Sequence, residues 1–251
     1  MKKVELIPLK GIPKIKPGDN IPSLIISALR RKKITLSGND LIVIAHKIIS
    51  ISENRFVSLS SQKVSKKAEL LSQKTGKSKE ICQLILDNSI RVIKSKKGVI
   101  ITENKLGVIT ANAGIDQSNI DEKDAALLLP LNPNASAKRI SKAIYKETKK
   151  DIAIIISDSI GRPWRYGLTQ ISIGSYGILP IKKYKKDIFK NPLYDTDIPI
   201  VDEIASAAGI LMEKDIGVPV VLIKGYNYSN SNKNSSVLLR SDKNDIFKWS
   251  S

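Results

Sequence analysis

Residues 152–165, I-A-I-I-I-S-D-S-I-G-R-P-W-R, pass from apolar scaffold to dense polar chemistry within a few positions. Ile152, Ile154, Ile155 and Ile156 form a β-branched run too short for a helix and too continuous for a strand with one wet face. The run therefore predicts a strand buried on both sides. It leads into Ser157, Asp158 and Ser159, which places a carboxylate flanked by two hydroxyls at the strand's carboxyl end, where open α/β sheets bind ligands. Gly161 then offers backbone freedom, Pro163 fixes φ, and Arg162 and Arg165 set two permanent cations around Trp164. A turn with incidental surface charge is the plainer reading of the same residues.

Working outward, residues 3–9 read as a first strand closed by a turn at Gly11-Ile12-Pro13. Helical spacing at Ile21, Leu24, Ile25 and Leu29 predicts a helix over 21–32. Residues 40–45 repeat the buried-strand pattern and are followed by His46 and Lys47. Two helices are predicted over 65–75 and 79–89, with Gly76 as a helix C-cap. Gly76-Lys77-Ser78 mimics the end of a phosphate-binding loop, but that motif needs a glycine where Leu71 stands. Short strands follow over 91–94, 99–103 and 106–110, leading into the polar stretch 112–119, where Asp116 and Asn119 lie three apart. A strand at 125–129, a helix over 136–148 and the strand at 152 suggest a βαβ unit and a partly parallel sheet. Beyond it come a strand over 169–173, a solvated lysine-rich loop over 182–190, a helix over 199–212 and a last core strand over 218–223. The class is mixed α/β. The division expected is a core over 1–226, with two interleaved subdomains as one form of it, then an Asn/Ser-rich loop and a docked C-terminal segment over 227–251.

The chain has 251 residues, enough to bury a sizeable core without disulfides or metals. Its one cysteine, Cys82, cannot form an internal bridge and fits a reducing compartment. Glu5, Pro8 and Lys10 interrupt the N-terminus well short of a signal peptide, and no apolar run reaches membrane-spanning length. A cytoplasmic protein without membrane contact is the expectation. The formal net charge of +18 invites a nucleic-acid reading. Only eight of the 42 basic residues are arginine, however, and the lysines are spread along the chain. With aromatics at 5%, little is available for base stacking, so no nucleic-acid partner is expected.

If the fold joins Asp116 and Asp158, two carboxylates about 4 Å apart repel by roughly 4 kcal/mol at an effective dielectric near 20, so they must share a proton or a cation. His46 is the only histidine, which excludes a multi-histidine metal site and leaves a satisfied or surface histidine as its plain reading. Oxygen donors without thiolates favour a hard ion such as Mg²⁺ or Mn²⁺, and a hard ion beside arginines and exposed backbone N–H groups points to phosphate chemistry.

Five blocks now acquire a common meaning: E-L-I-P-L-K-G-I-P-K-I-K-P-G-D at 5–19, V-I-A-H-K-I-I-S at 43–50, L-G-V-I-T-A-N-A-G-I-D-Q-S-N at 106–119, I-S-D-S-I-G-R-P-W-R at 156–165 and G-V-P-V-V-L-I-K-G at 217–225. With the tail L-L-R-S-D-K-N-D-I-F they make the chain resemble, over almost its whole length, the γ-glutamyl ligases that act on coenzyme F420-0. The resemblance implies a GTP-dependent ligase that joins L-glutamate to a lactyl-bearing deazaflavin through an acyl phosphate. It also implies an intertwined homodimer, with Mn²⁺ or Mg²⁺ as cofactor and a monovalent cation as a further candidate.

By position, the resemblance makes Asp116 and Asp158 metal ligands, with Ser159 as a hydroxyl ligand. Gly11, Ile12, Pro13, Lys14, His46, Lys47 and Asn119 fall in nucleotide-binding segments, and Arg162 and Arg165 are candidate anion contacts in catalysis. Met212, Lys214, Asp215 and Gly217 belong to a further nucleotide segment, and Glu213 is its candidate metal ligand. Three positions depart from the family pattern. Ile51 follows Ser50 where a nucleotide-contacting lysine is expected, the 212–217 segment is one residue shorter, and Phe189-Lys190-Asn191 replaces a Phe-Gly-Arg loop. A metal-dependent phosphohydrolase or phosphotransferase using the same aspartates is the alternative from another enzyme class, and a basic nucleic-acid-binding module is the other rival.

Overall fold

The computed structural model describes residues 3–117, 124–194, 196–213 and 216–245. Strands β1 (Glu5–Pro8), β2 (Leu41–Ala45), β8 (Ala153–Arg162), β9 (Arg165–Tyr176) and β12 (Val220–Lys224) form the central sheet, in the order β1-β12-β2-β8-β9. Among the described residues only β2 and β8 pair in parallel, Leu41 opposite Ala153 through Ala45 opposite Ser157. The alternation of β8 explains its continuous apolar run. Ile154 and Ile156 enter one core with helices α1 (Ile21–Arg31) and α5 (Pro133–Thr148), while Ala153 and Ile155 enter another with α6 (Ile200–Gly209). Each such isoleucine contributes about 1.5–3 kcal/mol by leaving water.

A third core gathers α3 (Lys66–Thr75) and α4 (Lys79–Asp87) over the three-stranded sheet β4 (Ser89–Lys96), β5 (Val99–Asn104) and β6 (Ile109–Ala111). Strands β3 (Phe56–Ser58) and β7 (Ala125–Leu127) pair antiparallel beside it. Two residues each of β10 (Lys182–Lys183) and β11 (Asp197–Ile198) pair across the stretch read as a lysine-rich loop. Gly76 ends α3 in the left-handed region at φ 71°, and the Ser78 hydroxyl caps α4 by accepting from Ile81 N–H, so Gly76-Lys77-Ser78 is a helix–helix joint.

Three expectations are corrected. The βαβ unit does not run from β7 to β8, because β7 pairs with β3; the parallel neighbour of β8 is β2. Helix α5 begins at Pro133 because the Asn132 side chain accepts from Ala135 N–H and the proline needs no donor partner at the first turn. Ser157, Asp158 and Ser159 do not end their strand. β8 continues to Arg162 and turns at Pro163-Trp164 into β9, with Trp164 at φ 57° and Gly161 held in the ladder opposite Leu168.

The polar 227–236 stretch is anchored. Tyr228 donates its hydroxyl to Asp40 O and accepts from Ala153 N–H, and Ser235 is buried. Among the described residues no helix is long and apolar enough to cross a membrane.

Candidate active site

β1, β2 and β8 run in one direction and β12 opposes them, so their registers bring several loops to one end of the sheet. Pro8 lies opposite Val221, Val220 opposite Ile44, and Ala45 opposite Ser157. The turn after β1, the start of α2 (His46–Ser52) after β2, Gly217 before β12, and Asp158 all lie at this end. β8 outlasts its parallel neighbour there. Asp158 is the first residue past the β2 pairing, and β9 carries a bulge at the same point, its partner register jumping from Gly174 to Ser172.

His46 Nε2 lies 3.2 Å from Asp158 Oδ1, with both side chains about nine-tenths buried, and its Nδ1 lies 3.4 Å from the Ser50 hydroxyl one helical turn on. The next residue, Lys47, places Nζ 2.6 Å from Asp116 Oδ2. Asp116 is fixed from the other side by a two-way backbone bridge with Leu127 on β7. Two consecutive residues at the end of β2 thus each engage one of the two aspartates singled out in the sequence. His46 is a satisfied histidine, as its plain reading held, and its partner is Asp158. The Ser50 hydroxyl, four positions along the same helix, was the available sequence signal for its orientation.

The other predicted positions are placed less closely. Gly11 takes φ 81°, and its carbonyl accepts from Arg31 Nη2 at 2.7 Å, while Ile12 packs against the α1/α5 core. Pro13 and Lys14 continue that loop. Gly217, at φ 63°, precedes Pro219, whose carbonyl accepts from Ala45 N–H at 2.8 Å. Met212 is buried on the α6 side of β8, where it receives the Ser157 hydroxyl at 3.9 Å. By alternation Ser159 shares that side, whereas Asp158 faces α2. Glu213, next to Met212, is exposed.

Arg162 and Arg165 sit opposite each other at the hairpin tip, both exposed. Arg162 is four strand residues, about 13 Å, from Asp158. Asn119, Lys214 and Asp215 lie outside the described residues. Of the departures, Ile51 packs against the α1/α5 core and Phe189 is exposed.

Among the described residues no three His, Cys, Asp or Glu side chains are grouped to hold a metal ion. The donor chemistry nevertheless fits Mg²⁺ or Mn²⁺. Such ions are bound through one or two carboxylates and completed by water and substrate phosphates, and Asp116 and Asp158 supply that number of carboxylates.

The model of the family described as F420-0:gamma-glutamyl ligase matches residues 11–225. The chain belongs to the F420-0:gamma-glutamyl ligase family. Its relatives of that family include the coenzyme F420:L-glutamate ligase of Methanocaldococcus jannaschii, 40% identical over 98% of both chains. The protein of the same description from Methanothermobacter thermautotrophicus is 37% identical over 98% of this chain and 99% of its own. That from Methanosarcina mazei is 37% identical over 90% of this chain and 87% of its own.

Proposed function

We propose that the protein joins L-glutamate to coenzyme F420-0 at the expense of GTP, in the cytoplasm and as a homodimer. The observation that carries the reading is the pairing of Asp158 and Asp116 with the consecutive His46 and Lys47, at the sheet end where the Gly11–Lys14 and Gly217 loops also lie. This is a place where a phosphate-bearing ligand meets both carboxylates and cations.

In the proposed reaction a carboxylate oxygen of the lactyl group attacks the γ-phosphorus of GTP. The bond from that phosphorus to the bridging oxygen breaks, and GDP leaves. The glutamate amine then attacks the acyl carbon, loses a proton, and expels inorganic phosphate as the amide forms. Asp116 and Asp158 would hold Mg²⁺ or Mn²⁺. The ion supplies charge neutralisation at the transferring phosphoryl group.

The protein's own groups set the geometry around it. His46, held between Ser50 and Asp158, fixes the orientation of that carboxylate. Lys47 neutralises Asp116 before substrate enters, and its ammonium is then within reach of an arriving phosphate. Arg162 and Arg165 stand on an exposed arm with Trp164, Tyr166 and Leu168, an apolar group suited to a second copy of the chain, where the two arginines would meet anionic substrate.

The test is to incubate the protein with F420-0, GTP, L-glutamate and Mn²⁺ and to follow the deazaflavin mass. Glutamylated product is expected, and Asp158→Asn should lower its rate by at least about a hundredfold. Phosphate release that needs neither glutamate nor deazaflavin would instead favour a phosphohydrolase.

A further inference from the structure

A cavity of about 820 Å³ runs along the outer edge of β9, between the first turn of α5, the first turn of α6 and the anchored 232–239 segment. Among the described residues, none predicted from the sequence as a site residue lines it. Its wall contains Ile171, the ladder partner of Asp158, so its contents lie one strand from the aspartates. Three features give it the chemistry of a site. The N-terminus of the 16-residue α5 opens on it through Asn134 and Ala135. Ser175, 1% exposed, lines it, and among the described residues its hydroxyl has no hydrogen-bond partner, although such a buried group normally has one. Finally, among the described residues Lys105 and Lys138 line it together with a single carboxylate, that of Asp202.

Asp202 has no place in the chemistry of the aspartates. Among the described residues its carboxylate accepts one hydrogen bond, from Ser172 N–H at 2.9 Å. Burial pushes its carboxyl up, the mark of a charge lacking compensation. Two cations and one carboxylate around an open hydroxyl complement a ligand with two carboxylates and one ammonium.

We infer that this cavity seats the acidic α-amino acid of the reaction, with Asp202 receiving its ammonium and Lys105, Lys138, the Ser175 hydroxyl and the start of α5 receiving its carboxylates. The inference rests on the ligase reading for the identity of the amino acid. The cavity exceeds one amino acid in volume, as a site must that also admits the end of the group being extended.

Calorimetric titration of the intact protein with L-glutamate, and separately with glutarate, tests the site without turnover. Glutarate has both carboxylates and no ammonium. Wild type should bind glutamate more tightly than glutarate by about tenfold or more, the worth of a charge-assisted hydrogen bond. Asp202→Asn should erase that preference, and Lys138→Gln, on an exposed position that folding tolerates, should weaken both ligands. In the ligase assay Asp202→Asn should raise KM for glutamate about tenfold while leaving KM for GTP unchanged. Unaltered glutamate binding in both variants overturns the assignment even if product forms. Loss of the glutamate preference in Asp202→Asn supports the site even if no ligase product is seen, so the two readings fail separately.

Discussion

Replacing Gly174 with alanine should damage this protein through one contact. A Cβ built at Gly174 would lie 2.5 Å from the Pro133 carbonyl carbon, 2.6 Å from Pro133 Cβ and 2.8 Å from Asn134 N. These atoms are backbone or a rigid ring at the start of α5, so no flexible side chain can give way. Restoring ordinary carbon contacts of 3.5–4.0 Å requires the first turn of α5 to withdraw from β9 by roughly 1 Å. Overpacking of this kind costs about 1–3 kcal/mol. For a chain of this length each kcal/mol shifts the melting point by about 2–4 °C, so Gly174→Ala should melt about 3–10 °C lower by circular dichroism. Gly38→Ala is the control, since its Cβ would meet nothing within 4 Å and its φ is not positive. It should melt at or slightly above wild type, because alanine restricts the unfolded chain. A Gly174→Ala protein melting within about 1 °C of wild type would refute the close seating of α5 on β9, and with it the shape of the cavity wall.

Tyr228→Phe should cost about 0.5–1.5 kcal/mol in urea denaturation, because it removes the hydroxyl shared by the Asp40 carbonyl and Ala153 N–H and leaves them only their direct 3.2 Å bond. Burial pushes the Tyr228 phenol up to about 12, from an ordinary value of 10.0. Its raised folded value means that the associated stability is fully present below pH 10 and is lost as pH rises towards 12, so the alkaline decline should be shallower in Tyr228→Phe. At the hairpin tip, Tyr166→Asp places a charge on a fully exposed aromatic and should convert a dimer to a monomer in light scattering while the circular dichroism spectrum of the folded chain is unchanged. An unchanged molar mass for a dimeric wild type would remove this arm from the interface.

Much of the scaffold was legible because local chemistry set it. The two continuous isoleucine- and valine-rich runs at 41–45 and 153–156 can be buried on both faces only as interior strands, and they became the parallel pair. Gly76 stopped α3 because a left-handed residue is needed there. Pairing partners were less legible. Residues 125–127 are as apolar as any interior strand, yet they joined β3, since period-two burial says which residues face a core and not which strand lies alongside. The β8–β9 hairpin was missed for a related reason. Pro163 reads as a stop, but with Trp164 at positive φ it forms a two-residue turn that lets the ladder close at Arg162 and Arg165.

The candidate site divides along the same line. The sequence alone singled out Asp116 and Asp158 as carboxylates in polar clusters that follow apolar runs, and its motif blocks pointed to the family, because residue types at fixed spacing survive as text. Only the tertiary structure decided that His46 meets Asp158 while Lys47 meets Asp116. Those pairings depend on β2 ending one residue short of Asp158, a matter of register between segments more than a hundred residues apart. It also decided that Asp202, Ser175, Lys105 and Lys138 share one cavity. No spacing rule joins them, because they come from four separate elements whose convergence is fixed by packing across the edge of a sheet.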